Sequence, residues 1–168
     1  NPDFCAMKIL LLTDGIMPFA IGGMQKHSQQ LAKHMAASGH DVTLVHCVYG
    51  NQPLPDTKEI SEAFGMAAMQ HLEVISLRFP QLGKIPGHYL NESYVYSKLI
   101  FEKLKDRLTT FDFIYSKGFT AWYFIEQKKK GMEKQFIIVG HIVMLLPIIL
   151  LILLMNWTFS IIPPPGKP

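Results

Sequence analysis

The sequence is poor in cysteine and in charged residues. Its 168 residues contain only Cys5 and Cys47, too few for a disulfide framework and without a Cys-x-x-Cys pair for zinc. We therefore expect buried free thiols in a reducing compartment. Charged residues make up 17% of the chain, below the usual share of about 25%. With 49% apolar residues, this composition excludes intrinsic disorder, because the chain has ample surface to bury.

Glycine and proline show no repeating period. The 12 glycines and 11 prolines are scattered, which excludes collagen-like and low-complexity classes. The net charge of +3 and the isoelectric point near 8.8 are too weakly basic to indicate a nucleic-acid partner. A chain of this length suits one domain, and two catalytic domains would be cramped in it.

Strand and helix patterns alternate along the first part of the chain. Short apolar runs predict strands, and apolar residues at three- and four-residue spacing predict helices. The predicted strands lie near 8–13, 42–46, 72–77 and 112–116, and the predicted helices over 24–38, 57–69, 91–108 and 120–130. This alternation predicts an α/β fold, a Rossmann-like open parallel sheet with helices on both faces. We assign it to a domain over residues 7–141.

The end of the chain is apolar and uncharged. No charged residue occurs between Lys134 and Lys167, a gap of 32 positions. A membrane-spanning helix needs ~20 predominantly apolar residues, and Phe136–Met155 is just long enough, although Gly140 and Pro147 interrupt it. The lysines at 128–130 before it favour the cytoplasmic face of a membrane. The competing interpretation makes 136–139 the next strand of the sheet. We define 142–168 as an apolar tail, a candidate transmembrane helix, and expect a cytoplasmic protein that such a helix would anchor at the inner face of the membrane.

Several motifs resemble the N-terminal half of GT-B glycosyltransferases, in particular the family 4-like group of retaining enzymes. The resemblance covers Met7 to about Gly131, with its motifs in the order of that family. They are Lys8–Asp14, Pro18, Gly22-Gly23, His27, Leu31-Ala32, Gly39–Thr43, Ile85–Tyr89 and Phe111–Gly118. The resemblance implies a domain that contacts the sugar acceptor. In the family, a C-terminal domain of nearly equal size follows and makes most of the contacts to the nucleotide sugar, and nothing after Gly131 resembles it.

The first loop carries the clearest ligand-binding pattern. Gly22-Gly23 follows a buried strand and opens a helix, where glycine permits close approach and the helix N-terminus attracts negative charge. This arrangement suits a diphosphate or a sugar hydroxyl, although a plain tight turn would look the same. Asp14 lies at the carboxyl end of the first strand, where open α/β sheets bind ligands. His27 lies in the first turns of the helix, where a positive group is unfavourable unless an anion is near.

The resemblance adds three further substrate-binding candidates. His88 and Lys117 follow a predicted loop and a strand end, and the family match implies that they contact the acceptor. His141 takes the place where the family has a sugar-facing histidine after the next strand. The other histidines lack the spacing of metal ligands, and no Ser-His-Asp order is evident. We therefore assign no catalytic residue, no metal and no cofactor.

By resemblance, the intact enzyme would transfer a sugar from a nucleotide-sugar donor to a saccharide or lipid-linked acceptor, with retention at the anomeric carbon. We expect this chain alone to be inactive, because the donor-binding domain is missing from it. Two other interpretations stay open: a membrane-anchored binding module without turnover, and a non-functional gene fragment. Whether the tail is a membrane helix or the product of a shifted reading frame is open as well.

Overall fold

Five strands form one parallel sheet in the computed structural model, which describes residues 6–83, 88–130 and, for the backbone, 137–141. The strands are β1 (Lys8–Leu12), β2 (Asp41–Val48), β3 (Leu72–Arg78), β4 (Phe113–Lys117) and β5 (Ile137–His141). Their order across the sheet is β3-β2-β1-β4-β5, with every neighbouring pair parallel. The predicted parallel α/β fold is therefore confirmed.

In the described residues, four α-helices connect the strands. They are α1 (Gly23–Ala37), α2 (Thr57–Phe64), α3 (His88–Leu104) and α4 (Trp122–Lys129). Two short 3₁₀ segments, Ala68–Gln70 and Lys105–Thr110, follow α2 and α3. The chain order is thus strand and helix in alternation, as crossover connections between parallel strands require.

The core has two halves because β1 lies in the middle of the sheet with both faces covered. Leu10 and Leu12 pack with residues of α3 and α4, whereas Ile9 and Leu11 pack with residues of α1 and α2. Successive side chains of a strand point to opposite faces, so an uninterrupted apolar run serves both halves. Each of these side chains is at most 1% exposed, and burial of each contributes roughly 1.5–3 kcal/mol.

Three predicted helix boundaries are wrong. The helix predicted to run to Leu108 ends at Leu104, where the chain continues as the 3₁₀ segment Lys105–Thr110. The helix predicted over 57–69 ends at Phe64, because Gly65 adopts a φ of 83° that terminates it. The helix predicted to begin at Asn91 begins at His88. In its first turn, His88 Nδ1 hydrogen-bonds the carboxylate of Glu92 at 2.9 Å, an i,i+4 pair that stabilises the earlier start.

The apolar end of the chain begins as a strand. Ile137–His141 pairs with Phe113–Lys117, so the interpretation of this segment as the next strand is confirmed, and a helix over the whole of Phe136–Met155 is wrong. The tail 142–168, with its predicted transmembrane helix, lies outside the described residues. Among the residues that are described, no helix is both long enough and apolar enough to cross a membrane.

Candidate functional site at the carboxyl edge of the sheet

A buried hydroxyl pair joins the end of β1 to α1. Thr13 and Ser28 are fully buried, and their hydroxyl oxygens are 2.9 Å apart. Ser28 also donates to the Met24 carbonyl at 2.9 Å, and the Thr13 hydroxyl lies 3.2 Å from the Gly15 carbonyl. These bonds hold the first turns of α1 against the point where the chain leaves the sheet.

The loop before α1 needs glycine at Gly15. Its φ is +157°, and a Cβ there would lie 2.9 Å from the Cβ of Ala20, closer than real side chains approach. The Gln25 side chain packs against both Gly15 and Gly22. Gly23 differs, because a Cβ at that position would meet nothing within 4 Å. The space in front of Gly23 is therefore open to a ligand.

The N-terminus of α1 has no side-chain partner within its own helix. Gly22 caps it without a side-chain hydrogen bond, and the first turn contains no acidic residue. The first amide groups of a helix carry a partial positive charge and lack intrahelical acceptors. This end of α1 is therefore suited to an anionic or hydroxyl-bearing ligand.

Lys117 lies at the end of β4 with 3% of its surface exposed. Its ammonium group contacts His27 Nδ1 on α1. Burial lowers the pKa of Lys117, and the nearby Asp14 carboxylate opposes this shift. Gly118 then turns the chain with a φ of +65°. The structure thus brings a buried cation to the same edge of the sheet as the first turns of α1.

Asp14 faces the same cluster from the end of β1. Burial raises the pKa of its carboxyl group, whereas its own backbone amide, the Thr13 hydroxyl and the charge of Lys117 act in the opposite direction. The predicted site residues Asp14, His27 and Lys117 therefore come together. His141 pairs in register with Lys117, which places its backbone at the same edge.

His88 belongs to a second cluster, at the start of α3. Its partner is Glu92, whose carboxylate also accepts from the Leu82 amide at 2.9 Å. The pKa of Glu92 is lowered chiefly by the hydrogen bond from His88, and further by the Leu82 amide. The role of each predicted residue in binding stays a prediction.

Two residues beneath Asp14 have no signal in the sequence. Cys47 donates its thiol to the Asp14 carbonyl at 2.7 Å, and the Tyr96 hydroxyl donates to the Thr13 carbonyl at 3.4 Å. Burial raises the pKa of Cys47 to about 12, so it remains a thiol and supports the loop rather than acting as a nucleophile. Neither residue lies in a sequence motif. Cys47 and Tyr96 are distant from Thr13 and Asp14 in the chain, and only the folding of the chain brings them together.

The described part of the chain contains no set of side chains arranged as metal ligands. No group of three or more His, Cys, Asp or Glu side chains there could hold a metal ion. The groups that the structure brings to this edge are a buried ammonium, a histidine, a carboxylate and the amides of a helix N-terminus. Such groups can orient a sugar and stabilise negative charge on a phosphate.

A parallel sheet with these groups at its carboxyl edge defines a Rossmann-like ligand-binding domain. Residues 8–132 match the family model of the starch synthase catalytic domain. The chain belongs to this family of GT-B-type glycosyltransferases. No curated protein sequence matches it.

Solved structures with a similar chain trace come from several kinds of protein. The C-terminal domain of a hydrogenase from Pyrococcus furiosus is 18% identical with a TM-score of 0.48, over 80% of this chain and 91% of that one. A UGT transferase from Siraitia grosvenorii in complex with UDP is 11% identical (TM-score 0.48), over 80% and 27%. Sucrose-phosphate synthase from Thermosynechococcus elongatus is 18% identical (TM-score 0.47), over 80% and 33%. The chain thus spans at most a third of the two transferases, and the family assignment rests on the sequence match.

Proposed function

We propose that this chain is the acceptor-side half of a retaining glycosyltransferase. The complete enzyme would move a sugar from a nucleotide-sugar donor to a saccharide or lipid-linked acceptor, and the name of the matching family favours an α-glucan as the acceptor. The matching model is that of the starch synthase catalytic domain rather than of the family 4-like group, and we propose a relationship to the latter only on the order of the motifs from Lys8 to Gly118. We place it on the cytoplasmic side, with the tail as a membrane anchor.

The observation that carries this proposal is the cluster of Asp14, His27 and Lys117 beside the N-terminus of α1. In sugar transfer the bond to a diphosphate leaving group breaks, and negative charge develops on that group. Lys117 and the amides of α1 supply positive charge at this edge of the sheet. Asp14 can accept hydrogen bonds from sugar hydroxyls. Catalysis would then consist mainly of positioning and charge stabilisation.

We further propose that the 168-residue chain alone does not turn over. In a GT-B enzyme the donor pocket is completed by a second domain. Removal of one preorganised donor group costs about 3–4 kcal/mol, or 10²–10³ in rate, so loss of several groups together should leave no measurable transfer.

The test combines binding with turnover on the whole chain. UDP-glucose and ADP-glucose are titrated into ¹⁵N-labelled protein, and transfer of labelled glucose to maltotetraose is assayed in the same samples. We expect shifts at the amides of Gly23, Met24 and Lys117 without formation of product. Turnover by the chain alone would contradict the proposed incompleteness. Absence of any shift at α1 with either nucleotide sugar would contradict the proposed site.

A further inference from the structure

The last residues of β2 contact the loop that joins β1 to α1. This loop, residues 13–22, has Asp14 near its start and ends at Gly22, which caps α1. Successive side chains of a strand point to opposite faces of the sheet, so His46 and Cys47 reach the loop from opposite sides. Cys47 donates its thiol to the Asp14 carbonyl at 2.7 Å, whereas His46 contacts a residue in the middle of the loop.

Phe19 is the loop residue that His46 contacts. The two rings are stacked, with centroids 5.8 Å apart and 21° between their planes. Phe19 is half-buried and packs against the half of the core that contains Ile9 and Leu11. Because flat rings prefer particular relative orientations, the stacked contact sets the position of Phe19 as well as covering one side of it.

The ring of His46 is itself held at both nitrogens. The side chain is fully buried, with Nδ1 3.2 Å from the Cys47 carbonyl and Nε2 2.7 Å from the hydroxyl of Ser76 on β3. A carbonyl only accepts, so one neutral tautomer satisfies both partners, with Nδ1 donating to the carbonyl and Nε2 accepting from the hydroxyl. The orientation of the ring is therefore set by β2 and β3, and Phe19 packs on a fixed surface.

The backbone connects Phe19 closely to the N-terminus of α1. The Ala20 amide donates to the Ile16 carbonyl at 2.8 Å, and this bond closes a turn that contains Phe19. Two residues after Ala20 comes Gly22, whose carbonyl accepts from the Lys26 amide at 3.0 Å. A displacement of Phe19 therefore moves the backbone that leads directly into the first amides of α1.

We propose that His46 is a positioning residue for the site at the N-terminus of α1 and that it acts through its stacked contact with Phe19. The inference rests on the proposed function and adds to it a buried residue of the neighbouring strand. His46 does not touch the ligand. Its ring holds the loop so that Asp14 and the first amides of α1 are already in place when a ligand arrives. Groups that are fixed in advance lose little freedom on binding, so a loop released from His46 should bind more weakly.

The first experiment measures binding to the complete 168-residue chain. UDP-glucose and ADP-glucose are titrated into the ¹⁵N-labelled wild type, Phe19→Leu and Phe19→Tyr. Phe19→Leu keeps an apolar side chain but removes the ring, and we expect it to weaken binding at least fivefold. Phe19→Tyr keeps the ring and should stay within twofold of the wild type.

Phe113→Leu is the matched control for this substitution. Phe113 lies at the start of β4, at the opposite edge of the sheet from the loop, and packs against the same half of the core. Urea unfolding should show that Phe113→Leu and Phe19→Leu both lower stability, whereas Phe113→Leu should change binding less than twofold. Equal losses of binding in the two variants would assign the effect to general packing and overturn the inference.

A double-mutant cycle tests whether His46 and Phe19 act through one contact. His46→Gln removes the ring but keeps polar atoms for Ser76, and we expect it to weaken binding at least fivefold. Combined with Phe19→Leu, it should weaken binding no more than twofold beyond the worse single variant, because both changes remove the same contact. Losses that multiply in the double variant would show independent effects and overturn the inference.

Hydrogen exchange tests the positioning without a ligand. The amides of Ala20 and Lys26 are hydrogen-bonded within the loop and at its junction with α1. In Phe19→Leu we expect their exchange to rise at least tenfold while that of Leu11, in the centre of the sheet, changes less than twofold. A contact that only stabilises the whole fold would raise exchange at all three amides alike, and this result would overturn the inference.

The outcomes also separate this inference from the proposed function. If a nucleotide sugar binds to the wild type and to Phe19→Leu equally well, the inference fails and the proposed function stands. If neither nucleotide sugar binds to the wild type, the proposed function fails. The exchange of Ala20 and Lys26 then decides whether His46 positions the loop, and unchanged rates in Phe19→Leu show that it does not.

Discussion

Lys117 and His27, ninety residues apart in the chain, contact each other through Nζ and Nδ1. His27 is exposed on α1, whereas Lys117 is buried at the end of β4. The contact therefore holds the buried ammonium group beside the first turns of α1, whose amide groups carry a partial positive charge.

Replacement of Lys117 by methionine tests this charge. The change keeps most of the volume of the buried side chain, so we expect the fold to persist. Binding of ADP and UDP, measured by NMR titration, should weaken about tenfold or more, because a hydrogen bond to a charged group contributes roughly 1.5–3 kcal/mol. Lys103→Met, at an exposed position near the C-terminus of α3, should change binding less than twofold. Equal losses for both variants would show only a general effect of net charge.

The hydroxyl pair of Thr13 and Ser28 predicts a change in stability. Thr13→Val preserves the shape of the side chain but removes the bonds to Ser28 and the loop. We expect the free energy of unfolding in urea to fall by about 1–2 kcal/mol, because buried polar groups lose a partner. Thr110→Val removes an exposed hydroxyl that bonds Arg107 and should change the free energy by less than about 0.5 kcal/mol. Similar losses for the two variants would contradict a special role for the buried pair.

The sheet could be predicted because its signals are local. The apolar run Ile9–Leu12 serves both halves of the core, and Gly39 ends the helix before β2. The residues that define each strand or helix therefore lie within that element or directly beside it in the sequence. The boundaries that were wrong depend on single local features, the positive φ of Gly65 and the bond between His88 and Glu92, which the apolar pattern alone does not reveal.

The site was less predictable because its contacts are not local. Asp14 and Gly22 belong to one loop, so their association follows from the chain. The contact between His27 and Lys117 arises only when β4 pairs beside β1. Three aromatic rings at the ends of β2 and β3 and on α3 also meet in the fold, and no motif joins Tyr49, Phe79 and Tyr89. The topology of the sheet, rather than spacing, assembles both clusters.

The ion pair of Arg107 and Glu73 should contribute a measurable but small coupling. Arg107 donates to both carboxylate oxygens, at 3.0 and 2.6 Å, and this lowers the pKa of Glu73. Both side chains are nearly half exposed, so solvent screens the pair. A double-mutant cycle with Glu73→Gln and Arg107→Gln should give about 0.5–1 kcal/mol, and less in 1 M NaCl.

Lys58 and Glu62 provide the comparison for this cycle. Their atoms are 4.0 Å apart, with side chains 82% and 68% exposed. The same cycle on this pair should give less than about 0.3 kcal/mol. A coupling at Lys58 and Glu62 as large as that at Glu73 and Arg107 would show that bidentate geometry adds nothing here.

His46 should make the fold sensitive to mild acid. It is fully buried, with Nδ1 toward the Cys47 carbonyl and Nε2 at 2.7 Å from the Ser76 hydroxyl. Burial lowers its pKa from 6.5 to about 4, although the Cys47 carbonyl opposes the shift. Between pH 6.5 and pH 4, His46 is therefore protonated in the unfolded chain but largely neutral in the folded chain. The contribution of neutral His46 to the free energy of unfolding is therefore fully present above pH 6.5 and decreases as the pH falls toward 4.

The protonation of His46 should lower the free energy of unfolding by about 2 kcal/mol between pH 7.5 and pH 5, and by about 3 kcal/mol at pH 4. The raised pKa of Asp14 acts in the opposite direction at the acid end, because the folded state then binds the extra proton. Urea unfolding at pH 7.5, 6, 5 and 4.5 measures the sum. His46→Gln should lower stability at neutral pH and flatten the decline between pH 6.5 and 5. His34→Gln, at an exposed position on α1, should keep the slope of the wild type. A decline that persists unchanged in His46→Gln would assign the acid sensitivity to another group, because no proton would then be excluded at residue 46.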